Sequence, residues 1–150
     1  MTSALATALP IEAVRVGVDA SSWREALIAA GELLESSGCV TSEYTEQMVA
    51  AVESLGPYIV VAPGIALGHA RPGPAVLKTG LSLAVLAAPV EFGHDSNDPV
   101  RLVLGLSAVD HDSHVGLMAQ LAGLLAERAV VESLTSASTA SAARAILVGS

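Results

Sequence analysis

The sequence predicts an α/β fold: a single domain in which a mixed β-sheet of about five strands is flanked by α-helices. Short apolar runs of strand length alternate along the chain with longer segments of helical periodicity. Two of these runs, residues 81–86 and 102–106, are almost continuously apolar, as strands buried on both faces are. The length of 150 residues suits one domain, so we expect residues 1–150 to fold together, with residues 1–10 as a loose lead-in.

A strand and a helix are predicted first. Residues 13–18 alternate weakly between apolar and polar side chains, which favours a strand. Ser22 and Glu25 have the spacing of a capping box, so a helix is expected to begin after Ser22. It continues to Ser37, because Gly38 can adopt the left-handed conformation that ends a helix.

A second helix is expected to begin near Thr41 or Ser42 and to end at Gly56, which precedes a proline. Two short apolar runs follow, at residues 58–62 and 65–67, and each predicts a strand. The second helix is expected to turn three apolar side chains at helical spacing toward the core: Met48, Val52 and Leu55.

The segment that follows these strands, residues 68–74, contains two glycines and two prolines, so it is expected to form no regular element. The two buried strands come next along the chain. A third helix is then expected to begin around Asp112 or Ser113. Two shorter helices near residues 130–134 and 140–147 complete the alternation of strands and helices.

Composition limits the classes of function. The formal net charge of −8 and an aromatic content of 3% argue against nucleic acid as a partner, since such proteins need basic patches and stacking side chains. The longest apolar stretches are about half of the roughly 20 residues that span a membrane. The N-terminus lacks the features of a signal peptide, and the single cysteine, Cys39, fits a reducing compartment. We therefore expect a cytoplasmic protein.

His69 is the main candidate for chemistry. It follows a predicted buried strand, where a rigid scaffold often presents functional groups. Gly68 allows close approach of a bulky group, and the guanidinium of Arg71 can bind phosphate or carboxylate oxygens. A neutral imidazole is a competent nucleophile near pH 7. The alternative is a turn histidine that merely faces solvent.

His114 is the second candidate. It is expected in the first turn of the third helix, on the same face as Leu117 and Leu121, and so directed toward the sheet. Backbone N–H groups at the start of a helix favour anions there, which suits an imidazole that donates a hydrogen bond to phosphate. The alternative is a capping or packing residue. His111 is expected to be a solvated loop residue.

His94, with Asp95 and Asp98 in the same loop, raises the question of a metal site. None of the four histidines has the i, i+4 helical pairing or the HExxH spacing of a metal motif. The phosphate-binding P-loop and the GxSxG motif are also absent. We therefore expect no metal and no cofactor.

The segment around His69, residues 56–72 (GPYIVVAPGIALGHARP), resembles the signature of the phosphorylated histidine in IIA proteins of the bacterial sugar phosphotransferase system, mannitol–fructose type. It resembles the L-ascorbate-specific branch most closely. The similarity continues in order at the family's spacing in five further places: residues 78–83, 89–92, 97–100, 108–110 and His114.

The resemblance implies a phosphotransferase with a mixed sheet flanked by helices. It implies that the histidine-containing phosphocarrier protein donates a phosphoryl group to His69, and that His69 passes it to a cysteine of a IIB component. IIB then phosphorylates the sugar, L-ascorbate in the branch most resembled, as a membrane IIC permease imports it. The family's second active-site histidine maps onto His114. We expect the His114 ring to lie close to His69 and to donate a hydrogen bond to the phosphoryl group, and we expect Arg71 to stabilise the charge of that group.

The chain departs from the family at three places. Gly68 stands where the family usually has proline, which is expected to loosen the loop that holds the imidazole. Ala51 stands where mannitol-type proteins have an arginine, which leaves Arg71 as the expected guanidinium near His69. Gly73 and Pro74 stand where the ascorbate branch often has acidic residues.

Two other functions stay open from the sequence. A regulatory protein of the same fold would signal its phosphorylation state by docking on a target, without a role in transport. A plain interaction module would carry no phosphate chemistry. The sequence also leaves open which sugar is served and whether the chain forms a homodimer.

Overall fold

The computed structural model describes residues 4–148 of the chain. The strands are β1 (Val14–Val18), β2 (Val60–Ala62), β3 (Ile65–His69), β4 (Gly80–Val90) and β5 (Val100–Ser107). The helices are α1 (Ala4–Ala8), α2 (Trp23–Ser36), α3 (Ser42–Leu55), α4 (His111–Leu125), α5 (Arg128–Ser136) and α6 (Ala140–Val148). The predicted strands and helices are therefore present, and β4 is longer than the strand predicted at residues 81–86.

The strands form one mixed sheet in the order β1-β4-β5-β3-β2. β1 is parallel to β4 and β3 is parallel to β5, whereas the β4/β5 and β2/β3 pairs are antiparallel. The carboxyl ends of β3 and β5 consequently lie at the same edge of the sheet. This α/β single-domain architecture confirms the predicted fold class.

Helices cover both faces of the sheet, because the central strands are apolar on both sides. One core cluster packs α2 and α3 against side chains such as Ala66, Ala84 and Val103. The other packs α1, α4, α5 and α6 against side chains such as Leu67 and Leu104. Neighbouring residues of β3 thus contribute to opposite cores, as the alternation of side chains along a strand requires.

The N-terminus corrects one prediction. Residues 1–3 lie outside the described residues, but Ala4–Ala8 form α1 instead of the loose lead-in expected for residues 1–10. Leu5 and Leu9 are buried in the core beneath the sheet. Arg144 of α6 holds this segment because its guanidinium donates to the carbonyl oxygens of Leu9 and Ala6, at 2.6 and 3.0 Å.

The predicted boundaries of α2 are confirmed, with one difference in the capping contacts. The hydroxyl oxygen of Ser22 accepts a hydrogen bond from the backbone N–H of Glu25 at 3.2 Å. The Glu25 carboxylate accepts from the backbone N–H of Ser21, not of Ser22, and this bond lowers the pKa of Glu25. Gly38 has φ of +81°, the left-handed conformation expected after the helix.

Leu55 does not face the core as predicted. Met48 and Val52 are buried, but Leu55, the last residue of α3, is 72% exposed. Met48 and Val52 belong to the core that α2 and α3 share, whereas Leu55 at the end of the helix lies outside it. Leu55 therefore lies beside the cleft described below.

Candidate active site

His69 is the last residue of β3, and half-buried. β3 pairs with β5 as far as the partners Gly68↔Gly105 and His69↔Leu106. The prediction that residue 68 onward forms no regular element is therefore wrong for Gly68 and His69. Hydrogen bonding to a central strand outweighs the weak local preference of a glycine for turns.

Gly68 is not the loosening element that its replacement of proline suggested. It pairs with Gly105 of β5, and a Cβ at this position would lie 2.5 Å from Cδ1 of Leu27. A Cβ at its partner Gly105 would lie 3.0 Å from Cδ1 of Leu34. The two glycines thus form a groove in the sheet that α2 fills with leucine side chains.

The imidazole of His69 is held by its own strand. Nδ1 lies 3.0 Å from the carbonyl oxygen of Leu67. A carbonyl oxygen only accepts hydrogen bonds, so Nδ1 carries the proton in this contact. Nε2 is then the nitrogen with a free lone pair, which is the requirement for a nucleophile.

Two rings flank His69. The ring of His114 lies 5.5 Å from it between centroids, at an interplanar angle of 57°. The ring of Tyr58 lies 5.7 Å away and nearly perpendicular, at 84°. The structure therefore brings His69 and His114 together from distant parts of the chain, and it adds a tyrosine that the sequence reasoning did not single out.

Tyr58 could have been found from the predicted strands. Residues 58–62 and 65–67 are too close in sequence to be separated by more than a turn, so they form a hairpin. In that hairpin the N–H of Leu67 donates to the carbonyl oxygen of Ile59. Tyr58, one residue earlier, is consequently placed beside the end of β3. Burial raises the pKa of its hydroxyl, which stays protonated at neutral pH.

α4 begins slightly earlier than predicted. Its N-cap is Asp110, whose carboxylate accepts from the backbone N–H of Ser113 at 2.8 Å, and not Asp112 or Ser113. That hydrogen bond lowers the pKa of Asp110. His111 is exposed as expected, but it is the first residue of α4, one turn from His114, and it lines the same cleft.

These residues line a cleft of about 600 Å³. Arg71 lies on its rim, exposed, and forms no ion pair within residues 4–148. No carboxylate lines the cleft among the described residues, although the whole chain is strongly acidic. The lining comes from three regions: Gln47, Ala51, Leu55 and Tyr58 around the end of α3, His69, Ala70, Arg71 and Pro72 after β3, and His111 and His114 from α4.

The electrostatics of the cleft favour an anion over a cation. Partial burial lowers the pKa of His114, and the nearby rings of His69 and His111 lower it further. Neutral His114 still offers one ring N–H as a hydrogen-bond donor. Arg71 adds a permanent positive charge that can bind oxyanions.

His94 lies at the opposite edge of the sheet, in the loop between Val90 and Val100. Its Nδ1 accepts hydrogen bonds from the backbone N–H groups of Ser96 and Asn97. The imidazole therefore stabilises its own loop. Across residues 4–148, no group of three or more His, Cys, Asp or Glu residues is arranged to hold a metal ion.

Comparisons with known proteins agree on one family. The model of the phosphoenolpyruvate-dependent sugar phosphotransferase system, EIIA 2, matches residues 7–149. An ascorbate-specific PTS system EIIA component of Salmonella choleraesuis is 39% identical over 129 residues, which are 85% of this chain and 83% of that protein.

In the described part of the chain, no helix is long and apolar enough to cross a membrane.

Solved structures show the same architecture. The mannitol-specific cryptic phosphotransferase enzyme IIA of Escherichia coli superposes with a TM-score of 0.86 at 34% identity, over 97% of this chain and 99% of that one. Mannitol enzyme IIA of Escherichia coli, in its complex with phosphorylated enzyme IIB, gives 0.81 at 29% identity, over 93% and 96%.

Gly68→Ala tests the glycine groove. We expect it to lower the free energy of unfolding by about 1–3 kcal/mol, because the new Cβ overlaps the buried Leu27 side chain. In a Leu27→Ala background the same substitution should cost much less, since the obstructing methyl group is gone. Urea unfolding of the four proteins measures this coupling. An equal cost in both backgrounds would contradict the packing explanation.

The lowered pKa of His114 predicts acid sensitivity. A base whose pKa is lower in the folded state binds fewer protons there, so acid favours the unfolded chain. The contribution of His114 to the free energy of unfolding is complete above the ordinary histidine pKa of 6.5. It is lost as the pH falls toward the lowered pKa of His114. We therefore expect His114→Gln to lose less stability than the wild type between pH 7.5 and 5.5, measured by urea unfolding. Identical losses would show that His114 does not contribute.

Proposed function

We propose that this chain, which belongs to the EIIA 2 family of the phosphoenolpyruvate-dependent sugar phosphotransferase system, carries its phosphoryl group on Nε2 of His69. EIIA components are phosphotransferases with a phosphohistidine intermediate, so the question is which atom of this chain takes the group. The observation that supports Nε2 is the contact of Nδ1 with the carbonyl oxygen of Leu67, which leaves only the other nitrogen unprotonated.

The transfer requires two displacements at phosphorus. In the first, the Nε2 lone pair attacks the phosphorus of the donor's phosphohistidine, and the electron pair of the broken P–N bond returns to the donor nitrogen. In the second, a thiolate of the acceptor attacks, and the pair returns to Nε2. The proton stays on Nδ1 throughout, where the Leu67 carbonyl oxygen stabilises the positive charge that develops on the ring.

His114 and Arg71 would stabilise the transferring group. Most of the charge in such a transition state lies on the equatorial phosphoryl oxygens, so catalysis depends on positioning and electrostatics. The His114 ring is close enough to His69 for its N–H to reach a phosphoryl group held between them. Arg71 supplies positive charge at the rim, and the absence of carboxylates from the described lining avoids repulsion.

The rim of the cleft suits a protein partner. Leu55 and Tyr58 are 72% and 41% exposed beside the reactive ring. Exposed apolar side chains around a polar centre are typical of protein interfaces. In the solved relative, mannitol enzyme IIA is bound to phosphorylated enzyme IIB. We propose that the donor is the histidine-containing phosphocarrier protein and the acceptor a IIB cysteine, which serves a membrane IIC permease.

L-Ascorbate is the sugar that the comparisons favour, because the 39% identical relative is named ascorbate-specific. The same relative favours a transport role over a purely regulatory one. Ala51 also favours L-ascorbate over mannitol. Mannitol-type proteins are expected to have an arginine at this position of α3, whereas α3 contributes no arginine to the described cleft of this chain. A cytoplasmic location follows from partners that exchange phosphoryl groups there.

His69→Ala tests the phosphoacceptor. With phosphoenolpyruvate, enzyme I and the phosphocarrier protein, we expect acid-labile phosphate on the wild type and none on the variant, because the nucleophile is gone. His94→Asn is the matched control, since His94 lies at the opposite edge of the sheet and asparagine keeps an acceptor for the loop N–H groups. Full labelling of His69→Ala would reject the assignment.

His114→Ala tests the stabilising donor. It should still accept phosphate, but transfer to the IIB component should slow by about 10²-fold or more, the usual loss when one such donor is removed. His114→Gln should lose less because it keeps an N–H donor. Stopped-flow transfer to ascorbate-type and mannitol-type IIB proteins measures both the rate and the partner preference. An unchanged rate in His114→Ala would make His114 a packing residue.

A further inference from the structure

Tyr44 of α3 contacts the chain at the ends of β3 and β5. It lies on the face of the sheet opposite to α4. Its side chain is buried, with 1% of its surface exposed. Its hydroxyl donates to the carbonyl oxygen of Leu106 at 2.6 Å and accepts from the backbone N–H of Ala70 at 2.9 Å. The carbonyl oxygen of Ala70 is a more distant contact, at 3.2 Å.

These two backbone groups lie directly around the reactive histidine. Leu106 is the partner of His69 in the β3/β5 ladder, and Ala70 is the next residue after His69. The ladder ends at this pair, and the chain then turns away into a segment rich in proline and glycine. The hydroxyl thus bridges an N–H of one chain segment and a C=O of the other where direct strand pairing stops.

We propose that Tyr44 is a positioning residue for phosphoryl transfer: its hydroxyl clamps the end of β3 to the end of β5 and so fixes the backbone from which His69 projects. The proposal rests on the proposed role of His69. Tyr44 touches neither the phosphoryl group nor the partner, and it acts only through the backbone. Neither family resemblance nor sequence spacing pointed to it.

Tyr44 holds the two strand ends because leaving the two backbone groups without hydrogen-bond partners would cost free energy. Without the hydroxyl, the Leu106 carbonyl oxygen and the Ala70 N–H would need water or a displaced strand end to satisfy them. Either change moves the peptide next to His69. In-line phosphoryl transfer slows when the reacting atoms are misplaced by about 1 Å. Burial raises the pKa of the Tyr44 hydroxyl, so the clamp keeps its proton throughout the neutral range.

Tyr44→Phe removes the hydroxyl and keeps the buried ring. We expect kcat for phosphoryl transfer to His69 to fall about tenfold or more, while KM for the phosphorylated carrier protein stays the same. Ser82→Ala is the matched control. It removes another buried hydroxyl, which donates to the carbonyl oxygen of Ala30 at 2.7 Å, between β4 and α2. It should reduce stability without reducing kcat.

Nitrogen-15 NMR of His69 gives a readout that does not depend on activity. In the wild type we expect the Nδ1–H tautomer to dominate, because of the Leu67 contact. In Tyr44→Phe the Nε2–H tautomer should become visible, whereas Ser82→Ala should match the wild type. The two experiments separate two failures. If His69 of the wild type takes up no phosphate, the proposed function is rejected. If the wild type is phosphorylated and Tyr44→Phe is unaffected, only the clamp is rejected.

The clamp is overturned if Tyr44→Phe matches Ser82→Ala in both kcat and tautomer. If Tyr44→Phe does not fold, 3-fluorotyrosine is incorporated into the Tyr58→Phe chain, in which Tyr44 is the remaining tyrosine. Fluorine makes the phenol more acidic, so the hydroxyl loses at a lower pH the proton that it donates to the carbonyl oxygen of Leu106. The kcat of the fluorinated protein should therefore begin to fall at a lower pH than that of Tyr58→Phe without fluorine, and identical pH profiles would reject the clamp.

Discussion

The parallel pairing of β3 with β5 is the interaction on which the rest of the site depends. It carries His69 to the end of a central strand, opposite Leu106, with strands on both sides. The carbonyl oxygen of Leu67 then lies within 3.0 Å of Nδ1. Because these positions belong to a hydrogen-bonded ladder, the imidazole projects from paired backbone, and the segment rich in proline and glycine begins only after it.

A pair of glycines allows α2 to support this strand end closely. Gly68 and Gly105 are register partners, and the space above them is filled by Leu27 and Leu34. A side chain at position 68 would overlap Leu27, so glycine lets α2 pack directly on this strand. The backbone is held by strand pairing and side-chain packing in place of a restricted proline ring.

The distribution of charge explains how an acidic protein can handle a phosphoryl group. The chain has a formal net charge of −8, yet no carboxylate lines the described cleft, and Asp110 is occupied in capping α4. Arg71 and the imidazoles of His111 and His114 are the basic side chains that line the described cleft beside His69. The negative charge elsewhere on the surface remains available to complement a basic partner protein.

The sequence by itself determined the fold class, most element boundaries, and His69 and His114 as candidates, because periodicity, capping residues and motif spacing are local properties. It misplaced Leu55, the start of α4 and the regular structure at Gly68. The start of α4 was misplaced because Asp110 caps the helix in place of Asp112 or Ser113, and Gly68 was misplaced because it pairs with Gly105 of a strand distant in sequence. The predicted closeness of His114 to His69 is confirmed, but only the tertiary structure placed Tyr58 beside His69 and brought the Tyr44 hydroxyl to Ala70 and Leu106. Contacts between residues so distant in sequence depend on strand order and register, which local patterns do not specify.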